Sequence, residues 1–344
     1  MSTLKNLTKE EGILMNKFKF HPVGQGLFYT GNLANGTYNF VYDCGSSSKI
    51  NFSNCSNYFN GHINFIAISH LHEDHINGLE ELLKNNIVDE LILPYIDTSI
   101  IDIDLFRFYL IINGISPQTR VFNILLGAYY YGREQIDDRI KNIRIEEEVC
   151  APYVEFGKIW EFRFFTKKIN IIKLNNFKKK YDKFLTDNQV NSVEECLKKG
   201  TDISNLAIAY KEIYKNINLT SLVMVHYPAK RGKATVLTGD VAFDKALRNK
   251  VIDCIGDKRY VLQAPHHGAK AEWKTLGGLQ YDADEIVFSF GENNKYGHPS
   301  KICLIDIYVN SYCNFNGCHR YNSCGGLYKV RLVFEHKGYM YRIY

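Results

Sequence analysis

The chain has 344 residues, 45% of them hydrophobic, enough for a large core in one big domain or two small ones. Its net charge of +5, from 42 basic and 37 acidic residues, permits a polyanionic substrate but argues against the dense basic patch of a dedicated duplex binder. No run of about 18 apolar residues occurs, so no membrane span is expected. Met1 to Glu11 lacks the apolar stretch of a secretory signal, which makes the cytoplasm the expected location. Nine cysteines, an odd and mostly scattered set, argue for reduced thiols over a disulfide framework.

In chain order, Phe18–Phe20, Leu27–Thr30 and Tyr38–Asp43 are short β-rich runs, with a tight turn at Gly24-Gln25-Gly26. Asn64–Ser69 is apolar and branched, like a strand buried on both faces. From Gly78, Leu79, Leu82 and Leu83 fall at helical spacing, and Leu91–Pro94 is again a strand. This order predicts a layered α/β core. Val154–Phe165 reads as a hairpin turning at Gly157-Lys158, with Trp160, Phe162 and Phe164 alternating along its second arm. Residues 167–200 are lysine-rich and helix-compatible, and a solvated charged face accounts for them better than a nucleic-acid groove. Strands return at Leu222–Tyr227, Ala234–Leu237, Tyr260–Gln263 and Glu285–Phe290, and Lys329–Tyr344 reads as a closing hairpin. One domain is expected over 1–344, with a helical insertion at about 100–215 and a C-terminal hairpin and Cys-containing segment at 301–344.

The densest chemical signal is His70-x-His72-x-Asp74-His75, three imidazoles and a carboxylate within six residues at the end of a buried strand. Neutral imidazole and carboxylate are what borderline divalent metals prefer. Thr238-Gly239-Asp240, His266-His267-Gly268 and Gly297-His298-Pro299 follow later, the first two at strand ends. In open α/β sheets, sites form outside the strand ends.

Together these motifs resemble the metallo-β-lactamase superfamily. Within it, the chain is most similar to the hydrolase domain of the competence proteins that handle incoming DNA. The likeness rests on Val23–Gly26, Asp43-Cys44-Gly45, Ser69–Leu79, Asn218–Leu222, Leu237–Asp240, Pro265–Gly268 and Gly291–Pro299. It implies a four-layer αββα sandwich holding one or two divalent metals, zinc or manganese. His70 and His72 would ligate the first metal. Asp74, His75 and one of His266 and His267, with His266 preferred, would ligate the second, and Asp240 would bridge.

The chain departs from the superfamily pattern in one place and from the competence proteins in two respects. Where most binuclear members carry a further histidine, it has Asn218 and Ser221. Nearby His226 lies inside a strand and would share a face with Leu222 and Met224. Leu27 replaces the usual Asp after Gly26. The competence proteins carry this domain beside a membrane channel, so a transport role does not carry over.

The expected chemistry is hydrolysis through a metal-bound hydroxide, with Asp74 or Asp240 orienting it and His298 or Lys295 stabilising the leaving oxygen. Ser221, Lys270 and Lys295 are candidate substrate contacts. The leading substrate class is a phosphodiester in a nucleic acid or nucleotide. One alternative is an ester, lactone or thioester. Another is a sensor or scaffold subunit of a multiprotein system, an anti-phage system among them, with a weak or vestigial site. Cys313-x4-Cys318-His319-x4-Cys324 departs from the usual C-x2-C spacing of zinc sites and reads more simply as a cysteine-containing loop.

Overall fold

The computed structural model describes residues 16–46, 59–132, 137–146, 153–156, 160–167, 171–210, 221–230, 232–291, 295–315, 329–333 and 338–342. Two mixed sheets pack face to face. The first runs in sequence order from β1 to β6: β1 (Lys17–Phe20), β2 (Phe28–Leu33), β3 (Tyr38–Cys44), β4 (His62–Ala67), β5 (Ile87–Pro94) and β6 (Ile140–Glu146). The pairs β1–β2 and β2–β3 are antiparallel, and β3 to β6 are parallel. The second sheet runs from β7 to β14: β7 (Tyr153–Phe156), β8 (Trp160–Phe165), β9 (Val223–Pro228), β10 (Ala234–Leu237), β11 (Tyr260–Gln263), β12 (Glu285–Ser289), β13 (Lys329–Val333) and β14 (Gly338–Arg342). Within it β10 to β13 are parallel.

Side-chain alternation builds the layers. Phe40 and Tyr42 of β3 point between the sheets, and Val41 points outward. Met224 of β9 also faces inward, with Val223 and Val225 outward. Phe40, Phe65, Phe162 and Phe164 form the aromatic centre of the inter-sheet layer. Trp160, Phe162 and Phe164 alternate along β8 as their spacing implies.

Helices cover the outer faces. Against the first sheet lie α1 (Glu73–Ile76), α2 (Leu79–Asn85), α3 (Ile103–Ile112), α4 (Arg120–Leu126), α5 (Ile171–Asp187) and α6 (Val193–Lys198), burying Leu82, Phe106, Phe108, Phe177 and Tyr181 among others. Against the second lie α7 (Lys245–Ile255), α8 (Lys270–Trp273), α9 (Leu279–Asp282) and α10 (Lys301–Phe315), burying Val251, Trp273 and Ile307. This is the αββα sandwich that the sequence motifs imply.

The stretch read as an insertion at about 100–215 is not wholly outside that frame. β6 extends the first sheet, and β7 and β8 extend the second. The β7–β8 pair is the hairpin expected at Val154–Phe165, while β6, with Ile140, Ile143 and Ile145 among polar residues, carries too weak a periodic signal to stand out from a segment read as helical. Its helical parts pack on the first sheet's outer face. The lysines of α5 line its solvated side, with Lys178 paired to Asp102 at 2.7 Å and to Asp182 at 3.2 Å. The C-terminal segment contains α10, which the sequence reading does not anticipate, ahead of the expected hairpin of β13 and β14. Cys318, His319, Cys324 and Asn218 lie outside the described residues. Among the described residues no helix is long and apolar enough to cross a membrane.

Candidate metal centre

The chemistry-bearing motifs all follow the C-terminal ends of parallel strands. Asp43 ends β3, Ser69–His75 follow β4, Thr238–Asp240 follow β10, and Pro265–Gly268 follow β11. The two sheets are tied together at this edge, where Ser69 O accepts from Leu222 N (2.8 Å) and Leu222 O accepts from the Tyr42 hydroxyl (2.6 Å).

Asp43 organises the first half. It is fully buried, with φ +52°. Its carboxylate accepts from Ser69 N (2.6 Å), Ser69 Oγ (2.7 Å) and His75 Nδ1 (2.8 Å). The last bond puts the proton on Nδ1 and aims Nε2 of His75 at the cleft. Ser69 Oγ, its own proton given to Asp43, lies 2.9 Å from His70 Nδ1 and fixes that ring in the same way. His70 Nε2 is 2.9 Å from His72 Nδ1.

The second half is held by Gln263 and Ser221. Gln263 Oε1 accepts from the backbone N–H groups of Thr238 (2.7 Å) and Gly239 (3.0 Å), fixing the turn before Asp240. Ser221 Oγ accepts from Asp240 N at 3.2 Å. Gly239 has φ +52°, and a Cβ there would meet Ser69 Cβ at 2.6 Å, so this turn requires glycine. His266 and His267 also adopt left-handed backbone, with φ +48° and +55°, and their side chains turn into the cleft. His267 Nδ1 donates to Ser289 O at 2.7 Å, and its Nε2 lies 3.3 Å from Asp74 Oδ2.

Two sets of possible ligand atoms lie within 4.8 Å of one another: His70, His75 and Asp240, and Asp74, His75 and His267. Asp240 Oδ1 is 3.3 Å from His75 Nε2, and its Oδ2 is 3.6 Å from His70 Nε2 and 3.4 Å from His266 Nε2. Asp74 Oδ2 is 3.3 Å from His267 Nε2, and its Oδ1 is 3.8 Å from His75 Nε2. His75 Nε2 and Asp240 Oδ1 are buried 3.3 Å apart, and among the described residues neither finds a partner in good hydrogen-bond geometry. Buried polar atoms are rarely left so. A divalent cation between imidazole nitrogens and carboxylate oxygens would satisfy both, so the residues present fit zinc or manganese.

Charge divides the imidazoles. Burial pushes His72 down to about 4 and His70 well below the ordinary range, against the pull of nearby carboxylates. Burial likewise takes His298 down to about 4. These rings are neutral, the form in which imidazole binds metal. Burial would also lower His75 and His266, but neighbouring carboxylates outweigh it. Asp240, Asp43 and Asp74 raise His75, and Asp240 and Glu272 bring His266 to about 9. Burial would raise Asp74 and Asp240, and the surrounding histidines hold both below the usual carboxylate range.

Several expectations change. The histidine that joins Asp74 and His75 is His267, not the preferred His266, because its Nδ1 is fixed by a carbonyl and its Nε2 turns inward. His266 is a quarter exposed and lies between Asp240 and Glu272, 3.4 Å from each. His72 touches His70 but stands outside both convergent sets among the described residues. Ser221 is fully buried behind Asp240, so it positions that residue and cannot meet substrate. His226 sits in the inter-sheet core, bonded to Tyr29 (2.9 Å) and Trp160 (3.1 Å), and burial takes it to about 3. Lys270 and Lys295 are exposed, and His298 packs beside His266 and His267, with ring centres 5.5 and 6.3 Å away. The sequence reading missed the positioning roles of Asp43, Ser69, Gln263 and Glu272. Asp43 alone carried a signal, as a carboxylate ending a buried strand.

A family model described as "Anti-Pycsar protein Apyc1" matches residues 28–91, the span holding Asp43 and the whole His70–His75 motif. No curated protein matches the sequence. Solved structures similar to this chain include the metallo-β-lactamase fold protein YhfI from Bacillus subtilis, at 10% identity and a TM-score of 0.46, covering 95% of this chain and 98% of that one. They include the short form of human tRNase Z, at 10% identity and a TM-score of 0.35, covering 73% and 77%. They also include an archaeal metallo-β-lactamase superfamily protein from Sulfolobus tokodaii, at 14% identity and a TM-score of 0.38, covering 84% and 94%.

Proposed function

We propose that the chain is a metal-dependent hydrolase that cleaves phosphodiesters in a nucleotide or nucleic acid. The observation that carries this reading is the convergence of the two ligand sets on the shared ring of His75. A surface collection of histidines has no reason to have its rings fixed by buried bonds to Asp43, Ser69 and the Ser289 carbonyl, as these are. The match to the anti-Pycsar model supports a role connected with a defence system.

His70 and Asp240 would hold one cation and Asp74, His75 and His267 a second, because the one unprotonated nitrogen of His75 can serve a single cation. A divalent metal there supplies Lewis acidity, lowering the pKa of water towards neutrality and polarising the bond under attack. The protein's own groups do the rest. Asp74 is about a fifth exposed, the most of the residues in the two sets. Held ionised by His75 and His267, it accepts a hydrogen bond from the attacking water and aims it. His298, neutral in mid-range pH, donates a hydrogen bond to the departing oxygen, and Lys295 adds positive charge at the rim.

The test is hydrolysis of DNA, RNA and cyclic nucleotides by purified protein supplied with Mn²⁺ or Zn²⁺. Cleavage by wild type and its loss in an Asp74→Ala, His75→Ala double variant are expected. Undiminished cleavage in that variant would overturn the assignment. Turnover only of esters, lactones or thioesters would move it to acyl hydrolysis.

A further inference from the structure

An aromatic side chain stands exposed at the rim of the metal centre. Tyr296 is 61% exposed, unusual for a large ring that borders a built cleft. It stacks nearly parallel to His298, with an interplanar angle of 15° and ring centres 5.9 Å apart. The His298 ring in turn lies 5.5 Å from that of His266, whose Nε2 is 3.4 Å from Asp240. Three rings thus step from solvent to the carboxylate that joins the ligand set. The Lys295 ammonium lies 5.3 Å from the centre of the Tyr296 ring. A cation–π contact this exposed is weak, so an incoming planar group can displace the ammonium and leave it for an anion.

We infer that Tyr296 is a specificity-determining residue, a stacking platform for the base of a nucleotide whose phosphate is held at the metal centre. The inference rests on the proposed phosphodiesterase reading and narrows its substrate to one with an accessible, unpaired base. An exposed tyrosine backed by a partly buried histidine offers a fixed flat surface at little cost in side-chain order. Base stacking on aromatic rings tolerates any base, because every base has a π-face. A duplex, its bases already stacked, gains nothing from such a platform. A mononucleotide, a cyclic nucleotide or a single-stranded end does.

The experiment is calorimetric titration of the zinc-loaded full chain with AMP, UMP and ribose 5-phosphate, using wild type, Tyr296→Ala and Tyr296→Phe. The expected result is that Tyr296→Ala weakens AMP and UMP by about tenfold, the order that loss of one stacked base implies. Ribose 5-phosphate affinity should not change, and Tyr296→Phe should bind like wild type. Equal affinity of wild type and Tyr296→Ala for the nucleotides would overturn the platform while leaving the phosphate-binding centre standing. Failure of wild type to bind any of the three phosphates would instead overturn the phosphodiesterase reading on which the platform depends.

Discussion

Asp43 shows how much one residue behind the ligands can decide. It binds nothing in the cleft, yet it fixes the tautomer of His75 and, through Ser69, that of His70. Removing a partner behind a metal-binding histidine typically costs 10–100-fold in metal affinity. Asp43→Asn keeps the volume but loses the charge, and it should weaken Zn²⁺ binding by about that factor in chelator competition while the protein stays folded. His266 gives a prediction of opposite character. Its pKa is raised from the ordinary imidazole value to about 9 in the chain without metal, so folding favours the protonated ring. The stability this contributes is fully present below about pH 6.5 and is lost as pH rises through about 9. Metal-stripped protein should therefore unfold at lower denaturant in the upper part of that window, and His266→Ala should flatten the dependence. An unaltered pH profile in that variant would mean the Asp240 and Glu272 contacts do not hold the proton.

At the scale of elements, the site depends on close approach between backbone segments. A Cβ on Gly45 would lie 2.3 Å from Asp74 C and from His75 N, backbone atoms of α1 that cannot rotate away. Gly45→Ala must push α1, and with it Asp74 and His75, out of register. A loss of roughly 1–3 kcal/mol and of most bound metal is expected, by denaturant titration and elemental analysis. Gly256 is the control: its φ is +56°, but a Cβ there meets nothing within 4 Å. Gly256→Ala should cost roughly 1–3 kcal/mol of backbone strain, because φ +56° with ψ −133° is a conformation glycine alone adopts freely, and should spare the metal. The same scale explains what was legible in the sequence. His70, His72, Asp74 and His75 are close in the chain, so their shared role shows as a motif. The choice between His266 and His267 turns on two consecutive left-handed residues, which have no composition signature. Gln263 and Ser69 look like ordinary strand-end polar residues until their partners from other strands are known. β6 was hidden because Ile140, Ile143 and Ile145 stand among polar residues and lack the apolar run that announced β4, whereas the alternating aromatics of β8 made the β7–β8 hairpin legible.

For the whole molecule, the candidate metal centre lies at one edge of the interface between the two sheets, beside the aromatic layer around Phe40 and Phe162. His70, Asp74 and His75 come from the first sheet, Asp240 and His267 from the second. A cation held by both is a cross-link that exists only in the folded chain, because the unfolded chain separates these ligands by more than 160 positions of sequence. Its binding energy is therefore stability, about 2.7 kcal/mol when free metal is 100-fold above its dissociation constant. Chelation should lower the melting temperature, and re-addition of Zn²⁺ or Mn²⁺ should restore it. Stoichiometry then separates two arrangements that the geometry permits. Because Asp240 reaches His75 through one oxygen and His70 and His266 through the other, it is placed to be shared. If it is shared, wild type should carry close to two transition-metal ions per chain by elemental analysis, and Asp240→Ala should lose both together with the thermal response to chelation. One ion in wild type, kept by Asp240→Ala, would place the working metal at Asp74, His75 and His267 alone, and would make Asp240 a charge partner of His75 and His266 instead of a bridge.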